Sequence, residues 1–518
     1  MVVQNQVRKD LYFDSVTLMV ASSMMRQLEG VDGAAVMMGT EHNRQLLEDS
    51  GLLGPDIEPF GVNDTVVAVR AESAQAAQAA IALFDAQISG GQTARKEGAE
   101  RRARTLAAAK AAYPGANLAV ISVPGRFARA EAEKALGQGM HVLLFSDNVP
   151  LEDEVDLKRT AAQRGLLMMG PDCGTAIVNG TALGFANAVR RGGIGLAAAA
   201  GTGLQEVTAL IHELGGGVSQ ALGTGGRDLK EEVGGIMMSL CLESLRQDAE
   251  TKVIVILSKP PAKPVVEAML KQLEGVEKPV IAAFLGGSAD QLEGTGVTWA
   301  GDLEAAAHLA VQAERGRPLC PPGEDPLLEV LAQEECAKLA PEQRYLRGLY
   351  SGGTLCYEAM EILREQGIDT WSNIALKPAR LLEGGQPSRD NTLLDMGEDF
   401  FTNGMPHPMI DFRQRVERME REAASPEVGV LLLDCVGGYG THEDPAGELA
   451  PAIRQAKERT AREGRHLTVI ASVTATEADP QVRSRQRAAL EAAGALVLPS
   501  NAQAARLAAR IVRTMNQN

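Results

Sequence analysis

Two turns of the chain carry residue types that can hold an anion without a metal. Gly201-Thr202-Gly203 follows the apolar run GIGLAAAA, and Ser351-Gly352-Gly353-Thr354 follows the run YLRGLY. Each turn opens a helical pattern and reads Gly-Thr-x-x-x-Glu, closing on Glu206 in the first case and Glu358 in the second. A helix N-terminus offers free backbone N–H groups and the positive end of the helix dipole, so phosphate is its natural ligand. Glycine lets backbone approach the oxygens, and the threonine hydroxyl adds a donor. Capping alone also accounts for the residues, because Thr202 with Gln205 matches a capping box that needs no ligand.

The two turns belong to a longer repeat. Gly226-Arg227-Asp228 follows the first and Gly397-Glu398-Asp399 the second, and each copy then runs through a helix into a buried strand, TKVIVIL from Thr251 and EVGVLLLD from Glu427. Matched elements in one order specify two diverged copies of one module. Duplication of the turn favours phosphate over capping.

Other candidates sit on loops. Asp172, Cys173 and Gly174 form a Gly-flanked turn, where Asp172 could orient an amine or amide and Cys173 is either a nucleophile or an inert thiol. Arg227 follows two glycines and could reach an anion, with Asp228 holding it in place. Lys259 precedes two prolines that fix its loop, as a cation for direct phosphate stabilisation. The segment FFTNGMPHPMID places Asn403 and His407 just after Asp399, and prolines flank His407 as a donor to a carbonyl oxygen or an acid–base group. His442 in GTHEDP is the second histidine candidate. No histidine and carboxylate set has metal spacing.

Apolar runs alternating with helical patterns put these loops on parallel sheets, so the fold class is multidomain α/β. Residues 1–90 read β-α-β-α-β-α, with strands at Gln6–Phe13, Asp32–Met38 and Asp64–Arg70, a helix capped by Asp14, and an Ala-rich helix at 73–87. A linker helix covers 91–115, a Rossmann-like βαβαβ half-domain 116–191, the first module 192–316, a linker 317–343 and the second module 344–518. A length of 518 residues is too great for one core. The net charge of −16 argues against nucleic acid or an anionic membrane as partner. Six scattered cysteines without a CxxC pair predict reduced thiols, and no apolar run reaches membrane-spanning length. A soluble cytoplasmic protein is expected.

The motifs FDSVTLM (13–19), LLFSDNVPLEDE (143–154), MGPDCGTA (169–176), GTGGRDL (223–229), SKPP (258–261), YSGGTL (350–355) and NGMPHPMID (403–411) resemble the FdrA branch of the succinyl-CoA synthetase superfamily. The resemblance implies a CoA-binding-type Rossmann-like half-domain followed by two flavodoxin-like ligase modules, after a small α/β N-terminal domain. It also implies that the two module helices face each other, so that Gly201–Gly203 and Ser351–Thr354 form one composite phosphate site. Three departures limit the chemistry. The glycine-rich pyrophosphate-binding turn of CoA-binding relatives is missing, so CoA is not expected to bind tightly. The loop after FLGG, where relatives carry a phosphohistidine, reads SADQLEGTGVTWAG without histidine. No ATP-grasp segment is present.

What remains suits a pre-activated anionic substrate, an acyl or carbamoyl phosphate, and the resemblance implies a subunit of a carbamoyltransferase acting on oxamate. That is the leading expectation, with no required cofactor and with self-association or companion subunits. The alternatives are an acyl-CoA synthetase subunit forming a CoA thioester, and a non-catalytic scaffold in which residues 1–90 sense a ligand.

Overall fold

The computed structural model describes all residues except 10, 12–14, 55–56, 94–102, 104, 324, 384, 403–404 and 517–518. The chain divides into two compact units, Met1–Ala112 and Tyr113–Asn518. The first contains β1 (Val2–Arg8), α1 (Ser15–Arg26), β2 (Val31–Met38), α2 (Glu41–Asp49), β3 (Thr65–Ala71), α3 (Ala74–Thr93) and α4 (Leu106–Ala112). Its sheet is antiparallel in the order β1-β3-β2.

The expected first strand, Gln6–Phe13, is displaced. β1 pairs in register from Val2 opposite Ala71 to Arg8 opposite Thr65, because β3 offers seven residues of ladder and the chain fills it from its second residue. Residues 12 and 13, and the cap expected at Asp14, lie outside the described residues. The Ala-rich helix extends to Thr93, past the end expected at residue 87 and through the Gly90-Gly91 pair.

The second unit opens with β4 (Leu118–Ile121), α5 (Gly125–Gly137), β5 (His141–Leu144), α6 (Leu151–Gln163) and β6 (Met168–Met169), a parallel sheet in the order β4-β5-β6. The hairpin β7 (Thr175–Val178) and β8 (Thr181–Gly184) leads into β9 (Arg191–Ala199), α7 (Gly201–Glu213), β10 (Val218–Gly223), α8 (Ile236–Gln247), β11 (Val253–Ser258), α9 (Lys263–Leu273), β12 (Val280–Phe284), β13 (Thr298–Trp299) and α10 (Leu303–Glu314). These strands form one sheet, β13-β12-β11-β9-β10-β7-β8, parallel except at the hairpin.

The segment expected as a linker at 317–343 contains α11 (Leu327–Cys336). Its Leu328 and Ala332 are buried, so it is part of the packed body. The second module comprises β14 (Tyr345–Tyr350), α12 (Gly353–Glu365), β15 (Thr392–Asp395), α13 (Asp399–Thr402), α14 (Arg413–Ala423), β16 (Val428–Val436), α15 (Pro445–Arg462), β17 (Thr468–Thr474), α16 (Arg483–Ala492), β18 (Leu496–Leu498) and α17 (Asn501–Met515). Its sheet is wholly parallel, β15-β14-β16-β17-β18.

One hydrophobic core joins the two modules. Leu204, Val207 and Ile211 of α7 share it with Leu355, Ala359 and Leu363 of α12 and with Leu507 and Ile511 of α17. Apolar residues three and four apart on each helix give the buried stripe that drives this packing. Because β9 ends at α7 and β14 ends at α12, the carboxyl ends of both sheets meet where the helices touch. That is the edge at which open α/β sheets hold ligands. Among the described residues no helix is long and apolar enough to cross a membrane.

Candidate functional site

The two Gly-Thr turns are in contact. The backbone N–H of Thr354 donates to Thr202 Oγ1 at 3.2 Å. A Cβ on Gly203 would lie 2.8 Å from Thr354 Cγ2, and one on Gly352 would lie 3.0 Å from the Thr202 side chain. These positions are glycine because two helix ends approach backbone to side chain. Thr202 does not form the capping box with Gln205. The N-cap of α7 is Ala200, and buried Gln205 instead directs Nε2 to Asn187 Oδ1 and the Gly437 carbonyl, both at 3.4 Å.

The glutamates that close each Gly-Thr-x-x-x-Glu motif brace the opposite module. Glu206 accepts the backbone N–H of Asn501, the first residue of α17, at 3.0 Å, and also the Thr474 hydroxyl. Glu358 accepts the backbone N–H of Leu303, the first residue of α10, at 2.8 Å, and the Asn501 side-chain amide at 2.7 Å. Each carboxyl thus satisfies an orphan N–H at the start of the other module's last helix. Burial raises the pKa of both.

The two helix ends differ electrostatically. At the start of α12, the N–H groups of Ser351 (2.9 Å) and Gly352 (2.8 Å) and the Ser351 hydroxyl (3.0 Å) donate to Asp434. Asp434 is fully buried and paired with equally buried Arg415, which also donates to the Leu349 carbonyl at 2.8 Å. A Cβ on Gly353 would lie 2.2 Å from Asp395 Oδ2, so a second carboxylate of the chain stands at the same helix end. At the start of α7, the N–H groups of Gly201, Thr202 and Gly203 have no acceptor among the described residues. Gly201 is exposed, and a Cβ there would meet nothing closer than Thr175 Oγ1 at 3.8 Å. At α12 those of Gly353 and Leu355 are likewise without an acceptor among the described residues, but there Asp395 and Asp434 place negative charge against an incoming anion. The two ends that the resemblance implies as one cradle are therefore unequal, with two carboxylates of the chain standing at α12.

Lys259, after β11, is half-buried over the Tyr357 ring of α12, Nζ 5.5 Å from its centroid. Its charge favours the ionised forms of Asp172 and Asp395. Asp172 holds φ +53° and donates its N–H to the Ser146 carbonyl at 3.0 Å. Asp172 is exposed at the turn, yet desolvation by the surrounding protein, followed by repulsion from Asp147, pushes its carboxyl up to about 6. Cys173 beside it is a core thiol, pushed up to about 12 by burial, and so is no nucleophile. Gly174 contributes its carbonyl to the Phe185 N–H at 2.7 Å.

The expected Arg227–Asp228 pair is not made. Arg227 bonds Glu154 and the Val149 carbonyl, each at 2.8 Å. Asp228 is fully buried against Lys158 at 2.8 Å and caps α8 through Met238 N–H at 2.8 Å, leaving it nothing to offer a substrate. The Lys158 ammonium also meets Glu154 at 2.7 Å. This buried ion network ties α6 to the Gly-x-Asp loop, and it outcompetes a neighbour in sequence because a buried charge demands full pairing.

His407 accepts the Met409 N–H on Nδ1 at 3.3 Å, which assigns the proton to Nε2. Burial holds its pKa down to about 4, so at neutral pH it is a neutral N–H donor and not an acid–base group. Its Nε2 lies 2.8 Å from where a Cβ on Gly397 would stand, beside Asp395 Oδ1 and the Ser351 carbonyl. Asp399 is exposed at the start of α13, and Asn403 lies outside the described residues. His442 faces the other way, against Phe412 and 3.9 Å from Glu448. Among the described residues no group of three metal-ligating side chains is arranged for an ion.

Sequence reading missed Asp395, Asp434 and Arg415. A signal existed: the apolar runs TLLD and LLLD, in the strands that flank β14, both close on aspartate, although β16 continues to Val436. The loop after β12 packs Gly286 against Glu361 and Tyr357 of α12.

Comparison with known proteins fits this geometry. Residues 349–511 match the CoA-ligase family, and residues 1–105 match the AllF heavy metal-associated domain. Residues 1–105 contain no cysteine and one histidine, His42. The chain is 42% identical over 520 residues to the uncharacterized protein YahF of Escherichia coli, covering 99% of both. It is 29% identical over 179 residues to the alpha subunit of ADP-forming succinate–CoA ligase from Staphylococcus epidermidis, covering 33% of this chain and 57% of that subunit. It is 27% identical over 175 residues to the ADP-forming sulfoacetate-CoA ligase subunit SqwL of Acholeplasma sp, covering 32% of this chain and 58% of that subunit. Among solved structures, the dinucleotide-forming acetyl-coenzyme A synthetase 1 of Ca. Korarchaeum cryptofilum aligns over 77% of this chain and 83% of its own, at 15% identity and a TM-score of 0.33.

Proposed function

This chain belongs to one family with YahF and carries an AllF-type N-terminal domain and a CoA-ligase domain, and on that premise we propose that it is an acyl-CoA-synthetase-type subunit transferring an acyl group between phosphate and a thiol. The observation that carries this reading is the contact between Thr202 and Thr354, which sets two ligase-type turns together with the α7 amides open. The phosphate of an acyl phosphate takes those amides, where the dipole and N–H groups favour a dianion. Lys259 and the Nε2–H of His407 supply positive charge and a hydrogen bond as the carbonyl oxygen becomes an oxyanion. The thiol of CoA attacks the carbonyl carbon, the C–S bond forms as the S–H proton is lost to a base and then to the phosphate, and the C–O bond to phosphate breaks.

Carbamoyl transfer is the second reading, and one observation favours it. Residues 285–302 contain no histidine, so this chain has no carrier there for a phosphoryl group, and a substrate that arrives already activated suits it. Carbamoyl phosphate with an amide acceptor such as oxamate is that case.

Product analysis separates the two. The purified chain, alone and with proteins encoded beside it, is given acetyl phosphate with CoA, or carbamoyl phosphate with oxamate. Acetyl-CoA and stoichiometric phosphate are the expected products of the first mixture. Carbamoyl transfer to oxamate without any thioester would put the second reading in its place, and inertness in both mixtures would reject both.

A further inference from the structure

Asp395 ends β15 at the meeting point of both modules, and neither the repeat nor the CoA-ligase relationship assigns it a task. It is only 4% exposed, yet its two oxygens are treated differently. Oδ1 accepts the Gly397 N–H at 2.9 Å, and the Asp395 backbone N–H is fixed on Asn373 Oδ1 at 3.0 Å. Oδ2 has no hydrogen-bond partner among the described residues, and stands so close to Gly353 that any side chain there would collide with it. Oδ2 is not sealed from solvent, so it keeps a lone pair that a molecule bound at the site can reach. The neighbouring carboxylate, Asp434, has its oxygens fully engaged by Arg415, Ser351 and Gly352, so the open lone pair belongs to Asp395 alone.

We propose that Asp395 is the proton acceptor of the transfer reaction: Oδ2 takes the proton of the incoming nucleophile as that nucleophile attacks the acyl phosphate. The proposal rests on the acyl-transfer reading above and holds for a thiol or an amine nucleophile alike. The X–H bond breaks with its proton passing to Oδ2, the X–C bond forms, and the C–O bond to phosphate breaks. Asp395 passes that proton to the phosphate oxygen whose bond to carbon breaks, so the phosphate leaves the α7 amides as the dianion and Asp395 returns to its carboxylate.

The surroundings suit a base that works near neutrality. Burial raises the carboxyl to about 7, against the opposing pull of Lys259 from the loop after β11, with Glu398 of its own loop and Asp434 of β16 adding repulsion. Cys356 of α12 feels the Asp395 charge as an uncharged thiol, and the His407 ring on the far side of Gly397 is neutral. A proton acceptor is most effective when its pKa lies close to the working pH.

The test uses the full chain with acetyl phosphate and CoA, and with acetyl phosphate and hydroxylamine as an amine acceptor. Wild-type turnover should fall on the acid side of about pH 7. Asp395→Asn should lower kcat by about 10²–10⁴-fold and lose that acid limb, while inorganic phosphate still raises its melting temperature. Asp395→Ala should regain part of the lost rate with added formate, which a purely structural role would not allow. If Asp395→Asn keeps wild-type kcat and the acid limb, or if the wild-type profile is flat through neutrality, the proposal is wrong and the acyl-transfer reading stands. If the wild type transfers to neither acceptor, that reading fails and Asp395 as its base falls with it.

Discussion

Arg415→Met is expected to destabilise the Tyr113–Asn518 unit by about 3–5 kcal/mol. Arg415 and Asp434 are both fully buried, and the guanidinium spans the Asp434 carboxylate, the Asp434 carbonyl and the Leu349 carbonyl. Methionine fills much of the volume but leaves Asp434 as an unpaired charge, which costs far more than the pair contributes over an apolar isostere. The loss should appear as a lowered urea midpoint with an unchanged slope. Arg415→Met combined with Asp434→Asn should recover part of the stability, because no uncompensated charge remains. A single-variant loss below about 1 kcal/mol would mean that water or rearrangement satisfies Asp434, and that the start of α12 is not held as described.

Lys259→Met is expected to lower transfer by about 10²–10³-fold in kcat, the usual cost of losing one group that stabilises a developing oxyanion. Lys259 is half-buried on the Tyr357 ring and has no hydrogen bond or ion pair among the described residues, so global stability should hardly change. The pH profile supplies an independent sign. Lys259 pulls the Asp395 carboxyl down from where burial would leave it, so its removal should move the acid limb to higher pH. Unchanged kcat with a raised KM would assign Lys259 to binding alone.

The repeat and the parallel sheets were legible in the sequence because they rest on local signals, whereas the meeting of the two Gly-Thr turns was implied only by the family resemblance. A glycine-threonine turn after an apolar run reads the same in both copies. The difference between the two helix ends was not legible. It depends on Asp395 and Asp434, which reach the α12 turn from strands that follow it in sequence, and on Arg415, whose helix gives no sign of an inward guanidinium. Arg227 and Asp228 failed as a pair for the same reason, since Lys158 arrives from a helix 70 residues earlier and claims the aspartate. Glu206 and Glu358 were visible as matched positions, yet their crossed bonds to α17 and α10 needed the packed modules. His407 was singled out by its prolines, but only its buried surroundings decide that it donates and does not titrate.

The central claim is that one anion binds per chain, on the open amides of α7 and not between two equivalent turns. Equilibrium dialysis of inorganic phosphate and of acetyl phosphate against the full chain tests it most directly. The expected stoichiometry is one per chain for either ligand. Gly201→Val should abolish binding without unfolding the protein, because its side chain enters open space where the nearest heavy atom is 3.8 Å from the new Cβ. Two phosphates per chain, or normal binding by Gly201→Val, would contradict the account and leave the repeat as architecture.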